Sequence, residues 1–136
     1  MNYNELVKSI KHHEGYRKGV YTDTLGYETI GYGFAIKDLE LDEDIAGLIL
    51  ERKMTKLILN SFNRFNWLSS QPSGIQEVII EMCYQLGITG VSKFKKMIAH
   101  IKNGDYILAG NEALDSRWAK QTPNRAKELS SKLKLG

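Results

Sequence analysis

The sequence predicts an α+β protein with a mostly helical body and a small β-hairpin near the N-terminus. Two observations favour this fold class. Apolar residues recur three or four positions apart through most of the chain, which is typical of helices packed on one core. Residues 20–33 instead contain two short β-prone runs with Leu25-Gly26-Tyr27 between them, which is typical of a hairpin. The 136 residues, 42% of them hydrophobic, suit one compact domain.

The spacing of the first apolar residues predicts a helix over residues 4–13, with Asn2 or Asn4 as its N-cap. Gly15 is a stop signal, because glycine enters the left-handed conformation without steric cost. Glu14 therefore lies in or just beyond the last turn, at the helix end that carries partial negative charge. That field disfavours an ionised carboxylate and favours the neutral carboxyl that a general acid requires.

The predicted hairpin pairs residues 20–22 with residues 29–32, and Gly26 can supply the positive φ that its turn needs. This pairing brings Asp23 and Thr29 close together at the end of the hairpin. The glycines of the second run add no side-chain bulk, so a ligand can approach the backbone there. Taken alone, however, Asp23 could equally be an ordinary turn aspartate.

The middle of the chain predicts two further helices. Acids at residues 42–44 complement the positive end of a helix that is expected to run to about Ser61. Residues 60–70 look irregular, with aromatic side chains packed under the core. The pattern Ser73-x-x-Gln76 has the form of a capping box and opens the next helix. Residues 78–83 of that helix carry little polar interruption, so it is expected to be the central buried helix.

The C-terminal third predicts three more helices. A basic amphipathic helix is expected over residues 92–103, ended by Gly104. Asp105 can cap the short helix that follows. Thr122 as N-cap, with Pro123 at the first helical position, predicts the start of the last helix.

Charge and cysteine content limit the classes of protein to consider. The net charge of +3 and the pI of about 8.9 favour an anionic partner, such as cell wall or nucleic acid, without choosing between them. The single cysteine, Cys83, excludes an internal disulfide, and its apolar neighbours predict a buried, inert thiol. Residues 1–13 are too polar for a signal peptide or a membrane span, and no run of about 18 apolar residues occurs.

Three groups of residues together resemble the motifs of a known family. They are Glu14-Gly15 with Tyr21-x-Asp23, Gly26 and Thr29-Ile30-Gly31-x-Gly33; then Met82-Cys83-Tyr84-Gln85-Leu86-Gly87-Ile88-Thr89-Gly90; then Ser116-Arg117-Trp118 with Gln121-Thr122-Pro123-Asn124-Arg125-Ala126. Nine positions separate Glu14 from Asp23, and six separate Asp23 from Thr29. In order and spacing these groups resemble the T-even phage-type lysozymes, the endolysins of glycoside hydrolase family 24.

The resemblance implies a lysozyme-like α+β fold in a single domain, residues 1–136. A small lobe of about residues 14–45 would face a helical lobe of about residues 46–136, which also takes in the N-terminal helix. An active-site cleft is expected between the lobes.

The resemblance also implies a muramidase that cuts the β-1,4 bond from N-acetylmuramic acid to N-acetylglucosamine in peptidoglycan, without cofactor or metal. Glu14 would be the general acid that protonates the leaving oxygen. Asp23 would stay ionised and act as base for a water molecule that Thr29 holds. A base acting through water implies inversion at the anomeric carbon, with the carboxyl groups about 6.5–9.5 Å apart.

Substrate contacts and a supporting cation follow from the same resemblance. The residues expected to bind substrate are Phe34, Ala35, Tyr84, Gln85 and Arg117. Arg125 is expected beside Glu14, where its charge opposes the effect of the helix end. Core packing is the alternative for Tyr84, and Trp118 is expected in the core. The chain departs from the family at Phe34, where relatives carry a His, so any charge contact between lobes is lost there.

The partners expected are peptidoglycan alone, with no nucleic acid and no membrane insertion, in a monomer made in the bacterial cytoplasm. Export to the cell wall would then need a separate holin. Three alternatives stay open. They are a lytic transglycosylase, an inactive wall-binding module, and a nucleic-acid binder that uses Lys93, Lys95, Lys96 and Lys102. The basic helix offers no exposed aromatics for base stacking, and His12-His13-Glu14 lacks the spacing of a metal site.

Overall fold

The computed structural model describes residues 1–136, which divide into two compact units, Met1–Ala46 and Gly47–Gly136. The chain forms eight α-helices and one three-stranded antiparallel sheet. A mostly helical body with an N-terminal sheet confirms the predicted fold class. None of the eight helices combines the length and the apolar character that crossing a bilayer requires.

The first unit opens with helix α1, Tyr3–Glu14, which confirms the N-terminal helix. The Asn2 side chain accepts a hydrogen bond from the backbone N–H of Glu5, at 3.1 Å, so Asn2 is the N-cap. At the other end Gly15 has a φ of 71°, and its N–H donates to the carbonyl of Lys11 at 3.0 Å. Glu14 is therefore the last residue of α1.

The sheet follows as β1 (Arg17–Thr22), β2 (Glu28–Gly31) and β3 (Phe34–Ala35), in that order. Tyr21 pairs with Thr29 across β1 and β2, and Thr29 pairs with Ala35 across β2 and β3. The register of β1 shifts between Arg17 and Tyr21. Strand β3 extends the predicted hairpin by a third strand. It was not predicted, because two residues are too few to show an alternating pattern in the sequence.

Helix α2, Glu43–Arg64, runs almost one turn beyond the expected end near Ser61. The irregular stretch is correspondingly short, and Phe65 within it is buried in the core as expected. Helix α3, Ser73–Leu86, follows. Its capping-box prediction is wrong, because Pro72 is the N-cap and the Gln76 amide donates to the Leu68 carbonyl at 3.1 Å.

The remaining helices are α4 (Ile88–Ser92), α5 (Lys95–Lys102), α6 (Tyr106–Leu114), α7 (Arg117–Gln121) and α8 (Pro123–Leu135). The single helix expected over residues 92–103 is therefore interrupted, since Lys93 and Phe94 lie outside α4 and α5. Asp105 and Thr122 occupy N-cap positions without forming side-chain cap bonds. The Thr122 hydroxyl donates instead to the Trp118 carbonyl at 3.1 Å.

Helix α3 lies in the core of the second unit, as its apolar pattern predicts. Its buried residues are Ile75, Val78, Ile79, Ile80, Met82 and Cys83. The Cys83 side chain is 2% exposed, and burial raises the pKa of its thiol above the ordinary value of 9.0, partly offset by the Ser61 hydroxyl. Trp118 is also buried, which confirms its place in the core.

Candidate active site

Glu14 lies at the end of α1 with its carboxyl group against the backbone of Gly33. A Cβ atom at Gly33 would overlap Glu14 Oε2 and come within 3.2 Å of Glu14 Cδ. Gly33 also has a φ of +76°, a conformation that other residues rarely adopt. The positive φ favours glycine here, and a side chain at this position would also displace the Glu14 carboxyl group.

Asp23 is held by the turn that follows β1. Its Oδ1 atom accepts hydrogen bonds from the backbone N–H groups of Leu25, at 2.9 Å, and Tyr27, at 2.8 Å. The backbone N–H of Asp23 donates to the Tyr27 carbonyl at 2.8 Å, and its carbonyl accepts from Gly26 at 3.1 Å. These bonds fix the direction of the carboxylate, while Oδ2 has no hydrogen-bond partner in the protein and can accept a proton from a ligand.

Thr29 is buried in β2, with 3% of its surface exposed. Its hydroxyl donates to the carbonyl of Tyr27 at 3.0 Å, which leaves its lone pairs free to accept from a water molecule. The Tyr27 peptide groups thus bind both candidate residues, Asp23 through its N–H and Thr29 through its C=O. The predicted proximity of Asp23 and Thr29 arises from this shared partner as well as from strand pairing.

Tyr16, Tyr32 and Phe34 form an aromatic cluster, and they lie close to Glu14 and Gly33 along the chain. The ring of Tyr32 lies 5.6 Å from that of Tyr16 and 6.4 Å from that of Phe34, between ring centroids. The Lys11 ammonium lies 5.4 Å from the centroid of Tyr32. Phe34 is 48% exposed and packs its ring against Gly31, where a Cβ atom would come within 2.8 Å of it. Such rings offer faces that a sugar can stack on.

Two of the expected substrate residues lie at the end of α3. Tyr84 is 49% exposed, so core packing does not account for it. Gln85 is half-buried, and its Oε1 atom accepts a hydrogen bond from the indole N–H of Trp118 at 2.9 Å. This bond fixes which end of the Gln85 amide faces the indole, and it leaves the NH₂ group to donate elsewhere.

Arg117 and Arg125 occupy the C-terminal helices. Arg117 is the exposed first residue of α7 and lines a concavity of about 690 Å³ in the second unit, with Phe94 and Trp118 among its apolar lining. Arg125 donates from Nε to Glu81 Oε2 at 2.9 Å. The pairing expected between Arg125 and Glu14 stays a prediction.

The sequence motifs did not single out Tyr16, Tyr27 or Tyr32 as site residues. Tyr27 contacts Asp23 and Thr29 through its peptide N–H and C=O groups. Every residue except proline has both groups, so the residue type at position 27 does not indicate these contacts. Tyr16, Tyr32 and Phe34 lie next to glycines of the motif, and this grouping of aromatic residues was the feature that could have indicated them. No group of three or more His, Cys, Asp or Glu side chains is placed to hold a metal ion.

Residues 11–133 match the family model described as phage lysozyme. The chain is 28% identical to "Probable T4-type lysozyme 1" of Dictyostelium discoideum over 98% of this chain and 95% of that protein. It is 24% identical to "Probable T4-type lysozyme 2" of the same organism, with the same coverage of both chains. It is also 26% identical to "Pre-baseplate central spike protein Gp5" of Enterobacteria phage T4, over 92% of this chain and 27% of that protein.

A mostly helical fold with an N-terminal sheet, together with these matches, defines a glycoside hydrolase. The chain belongs to the phage lysozyme family. Membership of that family implies that peptidoglycan is its substrate.

Proposed function

We propose that this protein is a muramidase that hydrolyses the β-1,4 bond between N-acetylmuramic acid and N-acetylglucosamine, with inversion, and serves as an endolysin in phage-type lysis of the host cell. Glu14 is the general acid. A glycosidic oxygen leaves poorly until it is protonated, so a carboxyl group in a fixed position is required. The contact between the Glu14 carboxyl group and the backbone of Gly33, at the end of α1, supports this role.

The single observation that carries the proposal is that Tyr27 binds both residues: its N–H donates to Asp23 Oδ1, and its carbonyl accepts from the Thr29 hydroxyl. One carboxylate oxygen is fixed and the other is free, while a buried hydroxyl is held to the same residue with its lone pairs available. A water molecule between Asp23 Oδ2 and Thr29 Oγ1 would donate to both oxygens. Deprotonated by Asp23, it attacks the anomeric carbon as the bond to the leaving oxygen breaks, and Glu14 supplies that oxygen's proton.

Sugar contacts are proposed for Phe34, Ala35, Tyr84, Gln85 and Arg117. The exposed ring of Phe34 can stack on a pyranose face, and the Gln85 NH₂ group can donate to an acetamido oxygen. Ala35 pairs with Thr29 and keeps the space beside it small. A guanidinium N–H of Arg125 that is not bound to Glu81 is proposed to support Glu14. We further propose that the protein acts as a monomer and reaches the cell wall through a holin.

The test compares wild-type protein with Asp23→Asn and Glu14→Gln on purified Gram-negative peptidoglycan. Turbidity loss measures cleavage, and mass spectrometry identifies the products. Asparagine keeps the oxygen that binds the Leu25 and Tyr27 N–H groups, so Asp23→Asn removes the base without removing the turn. We expect a loss of activity of about 10²- to 10⁴-fold in both variants, the range typical of general acid–base groups. Asp38→Asn, an exposed isosteric change in the same unit, is the matched control and should keep full activity.

The products separate this reaction from transglycosylation. Hydrolysis in H₂¹⁸O places the label at C1 of a reducing muramic acid, and an inverting enzyme gives the α-anomer first. Products with 1,6-anhydro ends, or clearing that survives Asp23→Asn, would instead establish a lytic transglycosylase. Folded wild-type protein that binds sacculi without clearing them would establish a wall-binding module.

A further inference from the structure

A second concavity of about 550 Å³ lies in the second unit, next to the one that Arg117 lines, with which it shares Lys93 and Lys95. It is called the basic groove here, because its lining includes four cations: Arg64, Lys93, Lys95 and Lys102. Arg64 ends α2, Lys93 lies between α4 and α5, and the other two lysines belong to α5.

Charge in the basic groove is uncompensated. No Asp or Glu lines it, and none of its four cations forms an ion pair with a carboxylate. Four of the 19 Lys and Arg residues in the chain are gathered in this one groove. Like charges gathered in one concavity repel each other, and an anion bound among them removes that cost.

The lining of the basic groove also includes aromatic side chains. The rings of Phe65 and Trp67 lie 5.4 Å apart between centroids, at an angle of 38°. Phe65 is buried, whereas Trp67 is half-buried against the core and keeps part of its ring accessible to a ligand. One accessible ring suits a sugar unit. Single-stranded nucleic acid uses several such rings in succession, so the groove fits a glycan better than a nucleic acid.

The cations indicate which anionic group the glycan carries. Three of the four are lysines, which act as point charges with rotatable donors and suit tetrahedral phosphate oxygens. We propose that the basic groove binds the phosphate groups of a glycan polymer that is attached to the cell wall through phosphodiester bonds. The choice of a wall polymer rests on the proposed function, whereas the anion site itself does not.

The test measures co-sedimentation of the full chain with sacculi that carry a phosphodiester-linked glycan. The same sacculi after cold hydrofluoric acid, which cleaves phosphodiesters and leaves the peptidoglycan, form the comparison. Glu14→Gln is present in every protein to limit digestion. We expect Arg64→Gln/Lys102→Gln to weaken binding to untreated sacculi by about tenfold, which two charge contacts can account for, and to leave binding to stripped sacculi unchanged.

Lys56→Gln/Lys127→Gln is the matched control, since it removes two exposed positive charges outside the groove. Equal losses in both double variants would mean that net charge alone decides binding and would overturn the proposal. So would equal affinity for untreated and stripped sacculi. Circular dichroism melting checks that each variant is folded. Lys102→Gln alone is expected to weaken binding to untreated sacculi by less than the double variant does.

Two further probes test whether the basic groove binds a different kind of ligand. Binding of a 20-residue single-stranded oligodeoxynucleotide that is tighter than binding to sacculi, and lost in Arg64→Gln/Lys102→Gln, would assign the groove to nucleic acid. Tighter binding to phosphatidylglycerol vesicles, with the same loss, would assign it to a lipid surface. Either result overturns the proposal. Clearing of stripped sacculi by protein with Glu14 intact reports the proposed muramidase independently of the groove.

Discussion

Glu14 and Asp23 are held in opposite ways. The Asp23 carboxylate is tied to two backbone N–H groups and can turn little. Glu14 forms no side-chain hydrogen bond in the protein and is located by contact with Gly33. A base that must face one water molecule benefits from a fixed direction. The proposed acid, Glu14, is positioned by its contact with Gly33, where the absence of a side chain leaves room for the carboxyl group.

Gly33→Ala is expected to lower activity strongly. The added methyl group overlaps the Glu14 carboxyl, and the positive φ adds strain of about 1 kcal/mol or more. Cleavage of peptidoglycan and urea unfolding measure the two effects separately. Gly19→Ala, where φ is ordinary and nothing lies within 4 Å of the new atom, is the matched control. Full activity in Gly33→Ala would mean that Glu14 does not need this contact.

Phe34→Ala is expected to raise KM by about three- to tenfold with little change in kcat, because an aromatic face contributes roughly 0.5–1.5 kcal/mol to stacking. Steady-state cleavage of a soluble muropeptide oligomer measures both constants. Leu25→Ala removes another exposed apolar side chain of the same unit and should change neither. An unchanged KM in Phe34→Ala would remove Phe34 from the substrate contacts.

The secondary-structure elements follow from local sequence to different extents. Helices α1 and α3 were predictable, because apolar spacing and a glycine after the last residue agree in both, and Asn2 also caps α1. Strand β3 was not, since two residues carry no period. The interruption at Lys93 and Phe94 breaks no sequence rule, because neither residue opposes a helix, and only the packing of the unit decides where one helix stops and the next begins.

The sequence also could not decide which candidate N-cap side chains form cap hydrogen bonds. Ser, Thr and Asp recur before helices, yet whether the side chain turns to the first N–H groups depends on its surroundings. Ser116 does cap α7, accepting from Ala119 N at 3.3 Å, whereas Asp105 and Thr122 form no such bond. The candidate catalytic residues Glu14, Asp23 and Thr29 came from the motif, and their roles stay predictions. The shared attachment of Asp23 and Thr29 to Tyr27 was not predictable, because peptide groups leave no trace in residue identity.

Ser116→Ala is expected to lower the free energy of unfolding by about 1 kcal/mol, the usual loss for a serine N-cap. Ser73→Ala is the paired substitution, and it should change stability by less than about 0.5 kcal/mol, because Ser73 is inside α3 and caps nothing. Urea denaturation of the three proteins gives both values. Equal losses would show that the Ser116 bond contributes no more than an ordinary helix serine.

At the scale of the whole molecule, stability depends on keeping the core free of charge. The core of the second unit consists of Phe65, Leu68 and residues from α3 to α8, and its one ionisable side chain is Cys83. A neutral thiol behaves there as a small apolar group. Ionising it would place a charge among Ile79, Met82 and their neighbours, with no cation to pair it.

Cys83 therefore predicts a pH dependence of stability. Its pKa is raised on folding, so the unfolded chain loses the proton first as pH rises. The contribution is fully present below the ordinary pKa of 9.0 and is lost as pH rises from there through the raised folded value. Urea unfolding from about pH 7.5 to about pH 10 should show a steeper loss for wild type than for Cys83→Ala. Parallel curves would mean that the thiol does not contribute.

The attachment of Asp23 and Thr29 to Tyr27 has a consequence for how this sequence can vary over time. Both bonds use peptide groups, so the site constrains the path of the chain at residue 27 and leaves the side chain free. Selection on cleavage would accept many residues there, and the position would look dispensable in a mutational scan. Proline is the exception, since it has no N–H to offer Asp23. A site can thus depend completely on a residue whose identity hardly matters.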